Sequence, residues 1–233
     1  MLGLFRQMQR RKLQQRPVPD EWLSYLNKHV PFFWRLSPEL RQRFLAHLKV
    51  FVWEKKFVGA GGLPMTDEVR VVVAATAVRL VLYLGLSYYD ELTEIIVYPS
   101  TPEPPAHVST VVLSWEQVLE GLRDPGDGRD AGTREFAQAL DLADGAFDGT
   151  PKLREHSHYQ AWASVMSRHF KGMKGGRRTE RGVMGRHGSL TEAGFFAVAT
   201  AAFFEKPRQM KEKTPELYEE LKRFYGWDPV PEK

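Results

Sequence analysis

Glu135 stands between Arg134 and Gln138 in the run TREFAQALDLADGAFDGT, Thr133 to Thr150. A carboxylate can take a proton from water or substrate, but one flanked by a permanent cation reads more simply as a salt-bridged or surface group. Downstream, Asp141, Asp144 and Asp148 alternate with Gly145 and Gly149. That order lacks the bidentate Glu that closes an EF-hand loop, so a turn ending a helix is the expectation. His156 and His158, beside Glu155, are the only closely spaced histidines. Their spacing throws the rings to different faces of a helix, which predicts surface side chains, with a replacement metal site as the alternative. From Lys171 to Gly188 six basic residues (Lys171, Lys174, Arg177, Arg178, Arg181 and Arg186) face the single acid Glu180, among six glycines. This reads as a solvated Gly-rich loop able to hold an anion or an acidic partner. No GxxxxGK[ST] occurs in it and no aromatic residue interleaves with the cations, so neither a nucleotide nor single-stranded nucleic acid is indicated.

Composition narrows the chemistry further. With 33 Lys and Arg against 29 Asp and Glu, the formal charge of +4 does not by itself imply a nucleic-acid or membrane partner. The absence of cysteine excludes thiol nucleophiles, disulfides and thiolate metal sites, and fits a cytoplasmic protein. No apolar run reaches membrane-spanning length. Residues 1–19 are expected to form a basic leader, and residues 20–233 a single domain. In the leader Arg6, Arg10, Arg11, Lys12 and Arg16 accompany Leu2, Leu4, Phe5, Met8 and Leu13, which allows weak membrane-surface contact through residues 1–16.

Elements must position these residues. The pattern predicts helices from Trp22 to Lys28 and from a Ser37 cap through Leu48. A further helix opens at Thr66 and runs to Leu84, apolar around most of its circumference and therefore central and buried. Short β-rich runs at Glu94 to Tyr98 and Thr110 to Trp115 flank a Pro-rich loop from Pro99 to Pro105. Helices follow over Trp115 to Leu122, then Arg134 to about Ala143 with Thr133 as cap, then Glu155 to Phe170. Ser189 to Glu192 has the spacing of a capping box for a helix ending at Glu205, and Pro215 opens a last helix.

Two of these segments carry a family likeness. TREFAQALDLADGAFDGTPKL, Thr133 to Leu153, resembles the HEFAHxLDxxDGxxDGxP segment of the Mlc titration factor A family of zinc-dependent peptidases. TEAGFFAVATAAFFEKP, Thr191 to Pro207, resembles that family's AEFFAVxSExFFxxP. Similarity also extends through Lys56 to Leu63, Ile96 to Ser100, Val112 to Trp115 and Pro215 to Pro229. The resemblance implies an α+β fold: a mainly helical, zincin-like metallopeptidase domain with a small β-sheet. An active-site helix would supply HExxH and a later helix a carboxylate ligand.

In HExxH two histidines four residues apart share one helical face as neutral nitrogen ligands, and the Glu between them takes a proton from metal-bound water. Here Arg134 and Gln138 occupy the histidine positions, and Glu135 is left as a vestigial general base. Arginine has no lone pair to give and repels a divalent ion; the glutamine carbonyl is a poor zinc ligand. The two glutamate positions of the second helix hold Gly194 and Ala201, so whichever of them served as ligand, the carboxylate is gone. The chain is also shorter than the family between Ser100 and Val111. The expectation is a family member without cofactor that binds a protein and regulates it. The alternatives are an active zinc peptidase with a rearranged metal site, and a binder of anionic polymers through residues 171–188. The family's namesake suggests regulation by protein contact.

Overall fold

The computed structural model of the protein describes residues 2–101, 109–124, 126–185 and 190–230. At its centre lies α5 (Asp67–Leu80), in which every residue from Val71 to Leu80 is buried. A helix apolar on all sides has no face to offer water, so its neighbours must enclose it. Those neighbours are α2 (Asp20–His29), α4 (Pro38–Glu54) and α7 (Ala131–Asp141). Thr66 caps α5, its side chain accepting from the Val69 amide. The helix stops at Leu80, short of the expected Leu84, and turns out through Gly85, whose φ of +93° suits glycine.

α7 packs in turn on a parallel sheet in the order β1 (Lys56–Gly59), β2 (Glu94–Tyr98), β3 (Thr110–Ser114). Val58 pairs with Ile96, and Ile96 with Val112. The runs at 94–98 and 110–114 were legible as strands; β1 was not, being a four-residue piece with no alternation. Of the expected Pro-rich loop, residues from Pro102 on lie outside the described residues. The basic leader is a helix, α1 (Leu2–Gln15), docked on α4. Arg10 grips Glu54 with two hydrogen bonds of 2.7 Å and also reaches Asp90, while Lys49 donates to the Gln14 and Arg16 carbonyls. Leu4, Phe5 and Met8 remain exposed.

α7 joins this half to the second. Its cap is Asp130, not the expected Thr133: Asp130 Oδ1 accepts from the Thr133 amide at 2.8 Å. The Thr133 hydroxyl instead donates to Asp130 Oδ2 at 2.6 Å and accepts from Arg79 of α5. Arg79 also donates to Asp130 Oδ2 at 2.7 Å, forming an ion pair whose partners are 5% and 1% exposed. A second enclosed helix, α10 (Glu192–Glu205), packs along the other side of α7. It is covered by α8 (Tyr159–Lys174), α9 (Arg178–Met184), α11 (Pro207–Lys213) and α12 (Pro215–Tyr225). Trp162, Phe196 and Phe224 meet edge to face between α8, α10 and α12. The Gly-rich loop expected over 171–188 is mostly helical. Buried Met173, Val183 and Met184 anchor it, and glycines break it at the α8–α9 turn, where Gly176 has φ +83°, and at the end of α9, where Gly185 has φ +82°. Arg186 and Ser189 lie outside the described residues; the side chain that caps α10 is Thr191.

Replacing Asp130 with Ala strands the Arg79 charge in the core and removes a helix cap. Urea unfolding of Asp130→Ala should show a loss of about 3–5 kcal/mol, the usual cost of breaking a buried pair from one side.

Candidate functional site at the α7 and α10 helices

Three side chains define the less buried face of α7. Arg134 and Gln138, four residues apart, share that face, and Glu135 lies next to them, all three half-buried. Glu135 is neither the salt-bridged nor the surface group that its neighbour suggested. It makes no hydrogen bond or ion pair among the described residues, and the Arg134 Nε is itself buried without a partner. Burial pushes the Glu135 carboxyl above its ordinary range, opposed by the Arg134 charge.

On α10, Gly194 sits in the first turn, its amide donating to the Thr191 hydroxyl at 3.1 Å. A Cβ there would stand 3.2 Å from that same oxygen, so the close neighbour of Gly194 is the helix cap itself. Ala201, two turns on, is fully buried. These four positions do not fit a zinc ion. One offers a cation, one a carboxamide, and two no donor at all. Among the described residues no three His, Asp or Glu side chains come together in a group that could hold a metal.

The rest of the Thr133–Leu153 signature is intact and structural. Asp141 is fully buried and accepts from the Gly149 amide at 2.9 Å. Gly149 has φ +80°, and a Cβ on it would fall 2.5 Å from the Glu192 carbonyl oxygen at the start of α10. Trp162 Nε1 donates to the Gly149 carbonyl at 3.2 Å. The loop after α7 is therefore the clasp that fixes α10 and α8 against it.

The histidine pair divides as its spacing requires, but one member is not on the surface. His158 is 4% exposed and hydrogen-bonded to Glu220 of α12, while His156 is exposed beside the Tyr159 ring. Of the cations, Arg177 pairs at 2.9 Å with Glu180, a buried carboxylate also hydrogen-bonded to His169. Lys174 lies over the Phe170 ring, and the Arg181 guanidinium stands against Gly176. Lys171, Lys174, Arg177, Arg178 and Arg181 are all exposed at the α8–α9 end.

A mainly helical domain with a small sheet, carrying an HExxH-position helix packed on the helix of the third ligand, is a zincin-like metallopeptidase homologue. The chain matches the glucose-regulated metallo-peptidase M90 family over residues 5–110 and 105–226, and belongs to that family. It is 32% identical to the uncharacterized protein slr2042 of Synechocystis sp. across 94% of this chain and 88% of that protein. It is 25% identical to Mlc titration factor A of Yersinia pestis and of Yersinia pseudotuberculosis, across 90% of this chain and 85% of theirs. No helix among the described residues is long and apolar enough to cross a membrane.

Sequence reading passed over Arg79, Asp130 and Glu205. The available signal was a charge breaking an otherwise apolar helix: Arg79 near the end of VRVVVAATAVRL and Glu205 at the end of AAFFE.

Two variants test these assignments. Gly149→Ala should destabilise the fold by at least about 2 kcal/mol in denaturant titration, because it combines a left-handed backbone with a clash against α10. Glu135→Gln tests the buried carboxyl. A raised folded-state pKa stabilises only below the unfolded value of about 4.3, and that contribution is lost as pH rises through the folded value. The variant should therefore melt with the parent near pH 4 and above it at pH 8 in thermal scans.

Proposed function

We propose that this chain is a non-catalytic member of its metallopeptidase family, a pseudopeptidase that binds a protein partner and regulates it. One observation carries the reading. The half of the signature that builds the fold, from Asp141 to Gly149, is kept in working geometry, whereas every position of the half that would hold zinc has lost its donor. Decay of an unused protein would erode both halves alike.

Glu135 is then a remnant of the general base. Its raised carboxyl suits a proton carrier, yet its neighbours offer no metal-bound water to act on. The name of the relative Mlc titration factor A points toward action by contact, and the proposal extends that mode to this chain. The exposed cations of the α8–α9 end, Lys171, Lys174, Arg178 and Arg181, supply a surface for an acidic region of the partner. The proposal includes a cytoplasmic location, with which the cysteine-free composition is compatible.

The test is metal content and hydrolysis measured together. After incubation with zinc and dialysis, elemental analysis should find less than about a tenth of an equivalent, against the one equivalent of a built site. Fluorogenic peptides should be left uncleaved, with or without chelator. About one equivalent of zinc, with hydrolysis lost on chelation and in Glu135→Gln, would overturn the reading in favour of a rearranged metal site.

A further inference from the structure

A cleft of about 590 Å³ opens between α3 (Pro31–Arg35), the end of α10, α11 and the Trp227–Pro229 tail. None of Arg134, Glu135, Gln138, Gly194 and Ala201 lines it. Its volume is that of a small-molecule pocket, and its walls are apolar: Phe32, Leu36, Leu40, Phe204 and Trp227.

Two buried ionisable groups line this apolar space. Arg79 is 5% exposed; its guanidinium lies over the rings of Phe32 and Phe204, at 4.9 and 5.2 Å from their centroids. One of its nitrogens is committed to Asp130 and Thr133, but the Nε is buried without a partner. Glu205 is 7% exposed, and neither of its oxygens has a hydrogen-bond partner among the described residues. The Asp130 backbone N–H lies near enough to favour its ionised form slightly without completing a hydrogen bond. Buried polar groups are nearly always paired, and leaving both oxygens of a carboxyl and a guanidinium N–H unmatched is costly. Orphan groups lining an apolar cleft are what a ligand-binding site shows before its ligand arrives.

The charge around the cleft selects the ligand. Arg35, Lys206 and Arg208 line it along with Arg79. Among the described residues the only other acid lining it is Asp228, which is held by Lys222 and accepts hydrogen bonds from Tyr218 and the Val230 amide. Burial first, then the charges of Asp130 and Asp127, raise the Glu205 pKa to about 8 against the opposing pull of Arg79. At neutral pH the carboxyl is therefore mostly protonated, a donor and not an anion. A cationic ligand would meet four positive side chains; an anion would meet two unmatched donors.

We propose that this cleft binds a small organic acid, its carboxylate seated against Glu205 and Arg79 and its apolar body against Phe32, Phe204 and Trp227. The Glu205 O–H and the Arg79 Nε–H donate to the ligand carboxylate, and the rim cations draw it in. No bond is made or broken, and the site is independent of the α7 face discussed above.

Isothermal titration calorimetry with octanoate, 3-phenylpropionate and indole-3-acetate at pH 6.5 and 9.0 tests the site, with 3-phenylpropylamine as the matched cation. At least one acid should bind saturably at pH 6.5 and roughly tenfold more weakly at pH 9.0, as Glu205 loses its proton. The amine should not bind. Glu205→Gln keeps an N–H donor at both pH values, so it should keep binding and lose the pH dependence, with circular dichroism checking the fold. No saturable binding of any of the three acids at millimolar concentration overturns the proposal. So does tighter binding of the amine, or a pH dependence that survives Glu205→Gln. The comparison of acids, amine and pH on the unaltered protein decides the matter even if the variant does not fold.

Discussion

Two helices in this protein have no polar face. α5 and α10 are buried on every side, and a chain of this length can enclose both only by placing something between them. That something is α7, which packs on α5 and the sheet with one flank and on α10 with the other. The Arg79–Asp130 pair is the polar fastening of this arrangement. It joins the interior of α5 to the cap of α7 and uses the Thr133 hydroxyl to satisfy both. A buried pair of this kind contributes less to net stability than it costs to break. Its effect is on register, since only one rotation of α7 against α5 leaves neither charge stranded.

This role of α7 explains why the two halves of its signature have parted. Asp141 and Gly149 hold the clasp onto α10, where any side chain at Gly149 would strike the Glu192 carbonyl, so changes there are felt through the whole fold. Arg134, Glu135 and Gln138 are half-buried, in contrast to the fully buried Asp141. Gly194 and Ala201 are small residues on a helix packed on nearly all sides, where a carboxylate without a partner would carry a desolvation cost.

The buried carboxyls are handled in contrasting ways. Asp130 and Glu180 are paired with arginines, and Asp141 accepts a backbone hydrogen bond. Glu205 and Glu135 lack such partners among the described residues, and burial raises both. Asp130 sits at a helix start, where capping and ion pairing coincide, and Glu180 lies in the first turn of α9. Glu205 ends its helix facing a cleft, at the end of α10 where the helix dipole does nothing to favour a negative charge.

The sequence by itself determined the class of fold, the central helix and the residue types that stand at the four positions compared with the zinc-ligand pattern. Each of these rests on residue type at fixed spacing. A run from Val71 to Val78 that is apolar except for Thr76 must be buried, and the arginine, glycine and alanine side chains have no lone pair to offer a metal wherever the chain puts them. Boundaries were less legible: Asp130 displaced Thr133 as cap because Arg79, fifty-one residues earlier, holds it there. The 171–188 segment read as a loop because glycine count outweighs periodicity locally, whereas Met173, Val183 and Met184 find a core that only the folded chain supplies. Tertiary structure alone decided that Glu135 is half-buried, that His158 is buried against Glu220, and that Arg79 and Glu205 face one cleft. A side chain's type is local, but its burial and its partners depend on segments far away in the sequence, and spacing along one element carries no record of them.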